Sequence, residues 1–269
     1  MRTFLLLRLE GPLQAWGDVA LDPRRPTRAF PSCSGLAGLL ANALGWQHRE
    51  GERTTLLQDA LRYAVREDRQ PHPIWDYQTA DLSERGHAGV EGWTRWGIEH
   101  RGTSEAARGT QVLHKQYLAD ASFLVALTLT EAAPATIDAL QEALRRPARP
   151  LFLGRKGCPP ALPLLEHPRC LVRAENGYAA LESAPLPERL RRRSHPQRSM
   201  SRDAGENGDT VWLPCWYSPG DGPPHRPAQL QEIWDRRDFA ANRFAGSRRI
   251  VEGRVNPPVG FADNPADAS

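Results

Sequence analysis

The sequence predicts an α+β fold: a ferredoxin-like, RRM-like core in the order βαββαβ, a protruding insertion and a small C-terminal β extension. Three observations predict it. Short apolar runs of strand length alternate with two stretches of helical periodicity. Between the two halves of that pattern, Ala80 to Leu113 is rich in Gly, Arg, His and Glu and has nothing to fill a core. After residue 175, short β-like runs return between long polar stretches.

The first element is a buried strand over Arg2 to Leu9, followed by a GPLQAWG turn and a Pro/Arg-rich loop from Asp18 to Pro31. Leu36, Leu39, Leu40, Ala43 and Leu44 then form one apolar helical stripe. Ser34 is its expected N-cap, and Gly45 its end. A shorter helix is expected at about Thr55 to Leu61, and strands at Arg62 to Arg66 and Ile74 to Gln78.

After the polar insertion, Ala121 to Thr130 is a strong strand, with Phe123, Val125, Leu127 and Leu129 on one face. Pro134 opens a helix carrying Ile137, Leu140 and Leu144. Leu151 to Leu153 and Cys170 to Ala174 read as short strands, and Val211 to Tyr217 with Arg249 to Val255 as a final pair. The expected organisation is a core over 1–175 containing the 80–113 insertion, a disordered or flexible Arg-rich loop over 176–210, a β extension over 211–256 packed on the core and a frayed tail over 257–269.

Composition bounds the function only loosely. A length of 269 residues, 40% hydrophobic and 25% charged, allows one packed domain with insertions, and 24 prolines imply long loops. The net charge of +3 is no nucleic-acid signature. Of the 35 cations only Lys115 and Lys156 are lysines. A GC-rich genome produces the same bias, although arginine also suits phosphate forks.

Cys33, Cys158, Cys170 and Cys215 show no zinc-ligand spacing, so free thiols and no metal are expected. The apolar run Phe4 to Leu7 is too short for a signal core or a membrane span. A cytoplasmic location without membrane attachment is therefore expected.

Three constellations can carry chemistry. The first joins LRLEGPLQAWG to RRPTRAFPSCSGLAGLL: free amides at Ser34, Gly35 and Leu36 favour a phosphate, Arg24, Arg25 and Arg28 add charge, and Trp16 offers a stacking face. On residue types alone a tight helix–sheet contact with Trp16 in the core is the plainer reading. The second is LFLGRKGCPP, where two glycines flank Arg155 and Lys156; a phosphate-holding bend and a plain surface turn are both consistent with it.

The third is His114-Lys115-Gln116-Tyr117. His, Lys and Tyr can serve a metal-independent ribonuclease in which a 2′-OH attacks the phosphate. Strand alternation would point His114 and Lys115 apart, so a phosphate clamp by Lys115 fits better. H-E-x-x-H, G-x-S-x-G and G-x-G-x-x-G are absent from the sequence.

Taken together, LLLRLEGPLQAWG, RPT, FPSCSGLAGLLANALG, DYQT, YLADASF and LFLGRKGCPPALPL, in that order over Leu5 to Leu164, resemble the fifth CRISPR-associated family in its type I-E form. The resemblance implies a core of the repeat-associated RNA-binding superfamily, with the polar insertion as a thumb. It implies a non-catalytic subunit that caps the 5′ handle of a guide crRNA and meets target DNA only indirectly. The partners it implies are the backbone subunits and the large PAM-reading subunit of a Cascade complex, and no cofactor is implied.

The RNA-contacting set it implies is Gln14, Trp16, Arg24, Arg25, Thr27, Ser32, Ser34, Gly35, Lys115, Arg155 and Lys156. Trp93, Arg95, Trp96, Arg101 and Arg108 would serve the thumb and partner contacts. In the type I-C relative the same family is the processing nuclease and uses Tyr, Lys and His. Tyr117, Lys115 and His114 are the matching candidates here, but the Lys-His order of those relatives is not reproduced. The Arg-rich stretch Pro185 to Asp209 is longer than the family pattern.

Overall fold

The computed structural model describes residues 1–18, 23–81, 91–94, 97–100, 110–166, 169–191 and 211–258. Its first strands are β1 (Arg2–Glu10), β2 (Leu13–Gln14), β3 (Trp16–Gly17), β4 (Arg24–Arg25), β5 (Thr27–Arg28), β6 (Leu61–Arg69) and β7 (His72–Asp81). There follow β8 (Glu91–Thr94), β9 (Gly97–His100), β10 (Thr110–Ala119), β11 (Ser122–Leu129), β12 (Leu171–Ala174), β13 (Leu213–Tyr217), β14 (Leu230–Asp238) and β15 (Arg243–Val255). The helices are α1 (Cys33–Ala43), α2 (Gly51–Ala60), α3 (Ile137–Arg145), α4 (Gly177–Ser183) and α5 (Glu188–Arg191).

Seven strands form the main sheet in the order β12-β1-β11-β6-β13-β15-β14. Every neighbouring pair in it is antiparallel. The reason for a near-continuous apolar β1 is that both faces of this sheet are covered. Leu5, Leu7, Leu9, Val65, Phe123, Val125 and Leu127 pack with Leu36 and Leu40 of α1 and Leu140 of α3. Phe4, Leu6, Ala64, Leu124 and Ala126 pack on the other face against Ala180 and Leu181 of α4.

At one end that second face turns ionic. Arg66, Asp68 and Arg8 are all buried. Arg8 donates to Asp68 at 2.7 Å and to Glu166 at 2.6 Å. The Arg66 guanidinium bonds Asp68 and also the carbonyls of Leu181 and Ala184. Arg189 of α5 closes over this end by bonding both oxygens of Glu10.

The 176–210 span is therefore not one flexible loop. Its first part holds α4 and α5, because Ala180, Leu181, Leu186 and Leu190 find apolar cover and Arg66 satisfies the last carbonyls of α4. Residues 192–210 lie outside the described residues.

Other boundaries also move. The cap of α1 is Ser32, whose hydroxyl accepts from the Gly35 amide at 3.2 Å; Ser34 is inside the helix. Gly45 follows the helix at φ +77, as a left-handed terminator should. Helix α3 is capped by Thr136, and Pro134 sits in the turn before it. Leu151 to Leu153 is loop: Leu153 accepts from Ala15 and donates to Cys158, both outside any ladder. The C-terminal pair gains a third strand, β14, and joins the main sheet where Trp216 meets Val65.

Outside the main sheet, β10 pairs with β7 over a ten-residue ladder from Ala119↔His72 to Thr110↔Asp81. On its other edge β10 takes β2 antiparallel and β4 parallel. The arm takes Ala80, Asp81 and Thr110 to Leu113 from the two ends of the expected insertion, and between them β8 pairs with β9.

Candidate nucleic-acid interface

The residues proposed for RNA contact divide into two groups. Gln14, Trp16 and Ser32 have no exposed surface. The Gln14 amide donates to the carbonyls of Leu9 at 2.9 Å and Ala121 at 3.0 Å, and its oxygen accepts from the Trp16 indole at 2.9 Å. Thr27 is buried, and its hydroxyl accepts from the Trp16 amide at 2.7 Å. Gln14, Trp16 and Thr27 bind β1, β2, β3 and β5 to one another, while Ser32 caps α1. Gln14 and Trp16 are thus core residues with their polar atoms already satisfied, and no sugar or base reaches them.

The start of α1 is also taken. The Cys33 amide donates to Asp235 Oδ2 at 2.8 Å, and the Gly35 amide to Ser32. Asp235 is fully buried and held in place by Arg248, whose guanidinium also bonds the Tyr63 hydroxyl. A carboxylate from β14 thus sits on the amide preceding the Ser34 and Gly35 amides on which a phosphate was expected, and it complements the helix dipole as a phosphate would. Gly35 is small for a packing reason: a Cβ there would lie 2.9 Å from the Trp16 ring. Burial pushes the Cys33 thiol up to about 12, Arg248 and Asp235 acting in opposite directions on it, so this cysteine stays protonated.

Around β1, β6 and β11 both faces of the main sheet are buried, so their side chains offer no surface to RNA. What remains is a group of cations around β4, β10 and the loop 151–160. Arg24 and Lys156 are exposed; Arg25, Lys115 and Arg155 are half-buried. In the parallel ladder Arg24 lies beside His114 and Arg25 beside Lys115. Arg155 crosses to this pair, donating to the carbonyls of Gln116 at 2.8 Å and Arg25 at 2.9 Å. Its guanidinium also lies 4.7 Å from the centre of the Tyr117 ring.

Gly154 makes that crossing possible. Its φ is +91, and a Cβ would fall 1.7 Å from the Ala15 carbonyl oxygen. The glycine serves a backbone-to-backbone approach, not a phosphate bend. Arg155 fastens the loop to the arm, and Lys156 projects beyond it.

The geometry separates the three residues of the nuclease alternative. His114 meets Tyr77 edge-on at 5.4 Å on one face of the arm. Lys115 lies on the opposite face and donates to the Gln78 side chain. Tyr117 shares the Lys115 face under Arg155. Among the described residues no group of three His, Cys, Asp or Glu could hold a metal ion, and no helix is long and apolar enough to cross a membrane. Arg95, Trp96, Arg101 and Arg108 lie outside the described residues, and only the backbone of Trp93 is described, in β8.

Sequence reasoning missed two features. Asp235 gave no local signal as a cap, since it lies 202 residues beyond Cys33. Trp75 and Tyr77 are 52% and 62% exposed on β7. Their signal was present, because Ile74, Trp75 and Tyr77 put apolar side chains on both faces of a strand flanked by polar sequence.

The fold is that of an antiparallel sheet protein with a two-stranded arm, which has Arg24 on the His114 side and Arg25, Lys115 and Arg155 on the other. Comparison with known proteins gives the family. The model of the CRISPR-associated protein (Cas_Cas5) family matches residues 4–243, and the chain belongs to that family. It is 37% identical over 164 residues to the CRISPR system Cascade subunit CasD of Escherichia coli (strain K12), covering 61% of this chain and 70% of that one. A solved structure of a CRISPR RNA-guided surveillance complex contains a chain with 27% identity and a TM-score of 0.65, covering 97% of this chain and 95% of that one. A second solved Cas protein gives 28% identity and a TM-score of 0.57, with 96% and 98% covered.

Proposed function

We propose that this protein is a cytoplasmic, non-catalytic subunit of a Cascade-type CRISPR surveillance complex, and that it grips the 5′ handle of the guide crRNA. We read the strand order β12-β1-β11-β6, with α1 and α2 between β1 and β6 and α3 between β11 and β12, as the ferredoxin-like core of this family. The observation that carries the reading is the convergence of Arg24, Arg25, Lys115, Arg155 and Lys156 beside one arm, in a family whose relatives belong to such complexes. Phosphates would be held by the side chains at the edge of the patch, Arg24, Lys115 and Lys156, with Arg155 ordering the loop beneath them. Such contacts fix the register of the RNA. The segment over 80–113 would reach the neighbouring backbone and PAM-reading subunits.

The test is handle-RNA binding by the assembled complex as a function of salt. Arg24→Ala, Lys115→Ala and Lys156→Ala are each expected to weaken binding, and each lost phosphate contact lowers the salt slope by about 0.7. Unchanged affinity and slope in all three sinks the assignment. The nuclease alternative has its own test: precursor repeat RNA incubated with the protein and EDTA. Specific cleavage that His114→Ala abolishes would replace a binding role with a catalytic one.

A further inference from the structure

Ile74, Trp75 and Tyr77 are 41%, 52% and 62% exposed within four residues of β7. This strand is held by its ladder with β10, not by burying these side chains. Alternation puts Trp75 and Tyr77 on one face. Across the ladder Trp75 pairs with Gln116 and Tyr77 with His114, and beyond them the exposed Arg24 pairs with His114 on the same side. His114 props the Tyr77 ring edge-on, with 71° between the ring planes. Gln116 is fixed by accepting from the Thr27 amide at 3.1 Å. The nearest carboxylate on this strand, Asp76, lies on the opposite face, where it accepts from the Gln78 side-chain amide.

The chemistry of this face is that of a base-stacking surface. Exposed rings beside an arginine, with no carboxylate among these described residues, suit an unpaired nucleobase on an anionic chain. Residues i and i+2 of a strand are about 6.7 Å apart. That is about two stacking steps of 3.4 Å, the separation at which one base lies between two rings. Aromatic rings and arginine also serve protein interfaces, so a test must separate a protein contact from a base contact.

We propose that Trp75 and Tyr77, supported by His114 and Arg24, form a stacking platform that takes unpaired bases of single-stranded RNA. The proposal rests on the handle-binding reading and adds to it a base contact on the face of the arm opposite Lys115.

The experiment uses the assembled complex loaded with guide RNA carrying 2-aminopurine at successive handle positions. Stacking on an aromatic ring quenches that base. Trp75→Ala and Tyr77→Ala are each expected to restore emission at one or two positions and to weaken handle binding about tenfold. Trp75→Phe and Tyr77→Phe should keep both signals near wild type, which separates loss of a ring from loss of fold. If emission and affinity are unchanged in the alanine variants while wild type binds RNA, the platform is disproved and the phosphate patch survives. If the alanine variants lose only their hold on the other protein subunits after RNase treatment, the face is a protein contact and the platform is likewise disproved. If the wild-type complex holds no RNA through this subunit, the handle-binding reading falls as well.

Discussion

The main sheet and the β7–β10 arm are both antiparallel ladders, yet they are held by different forces. In β1 every residue from Phe4 to Leu9 is at most 3% exposed, with apolar side chains packed on both faces. In β7 the side chains of Ile74, Trp75 and Tyr77 stand in solvent, and backbone pairing with β10 keeps the strand in place. A strand held by burial cannot present side chains to a partner. A strand held by its ladder can. The candidate site accordingly collects on the arm and its edge, while the residues that carried the best sequence motifs went into the core.

The comparison is sharpest at Asp68, whose carboxylate bonds both the Arg66 and the Arg8 guanidinium in the buried ionic end of the sheet. Asp68→Ala leaves two buried cations short of a partner and is expected to cost about 3–5 kcal/mol by denaturant unfolding. Burial alone would raise the Asp68 pKa, but Arg66 and Arg8 outweigh it and hold the carboxyl below its ordinary range. A depressed folded-state pKa stabilises the fold above the unfolded value of about 3.9, and that stability is lost as pH falls through the folded value. The gap between wild type and Asp68→Asn should therefore narrow in strongly acidic buffer. A gap that stays constant below about pH 4 would remove this carboxylate from the account.

Asp235 tests the junction of the C-terminal hairpin with α1. Asp235→Ala frees the Cys33 amide and deprives Arg248 of its carboxylate, and a loss of about 2–4 kcal/mol is expected. Hydrogen exchange at the Cys33 amide should accelerate with it. Protection at wild-type level would mean that the helix start has another partner.

Gly154 tests the junction of core and arm. Gly154→Ala forces a side chain into a positive φ and against the Ala15 carbonyl, which is expected to cost about 1–3 kcal/mol from backbone strain. Because the loop then shifts, Arg155 should release the carbonyls of Gln116 and Arg25, and RNA affinity should fall along with stability. Loss of stability with affinity intact would show that the arm keeps its place without the loop.

Much of the fold was legible because burial writes a pattern. The apolar run of β1, the stripe of α1 and the alternation of β11 each matched their elements within a residue or two. Less of the site was legible, for reasons that concern particular residues. Trp16 and Gln14 follow a glycine turn, where a core residue and a ligand contact have the same local sequence. Carbonyls of Leu9 and Ala121 decide between the two by satisfying the Gln14 amide, and Ala121 lies 107 residues along the chain. Ser32 and Ser34 are both able to cap, and the packing of Gly35 on Trp16 helps set where the helix starts. Arg155 and Lys156 look equivalent in GRKG, yet only Arg155 finds carbonyls on the arm. Burial selects residue types strongly at each position, whereas a long-range hydrogen bond needs only one suitable group from anywhere in the chain.

The smallest expected effect bears most directly on function. Trp75→Ala and Tyr77→Ala should each shift unfolding free energy by no more than about 0.5 kcal/mol, because both rings are more than half exposed and their strand is secured by its ladder. The size of this effect is the point of the comparison. Large aromatic side chains in β1 or β11 cannot be truncated without loss: Phe123→Ala should cost about 3–5 kcal/mol. If the β7 substitutions were instead to destabilise the chain on its own by more than about 1 kcal/mol, the rings would be packing elements of the arm. If stability holds while RNA contact falls, then the arm is where this fold keeps side chains that its own core does not use.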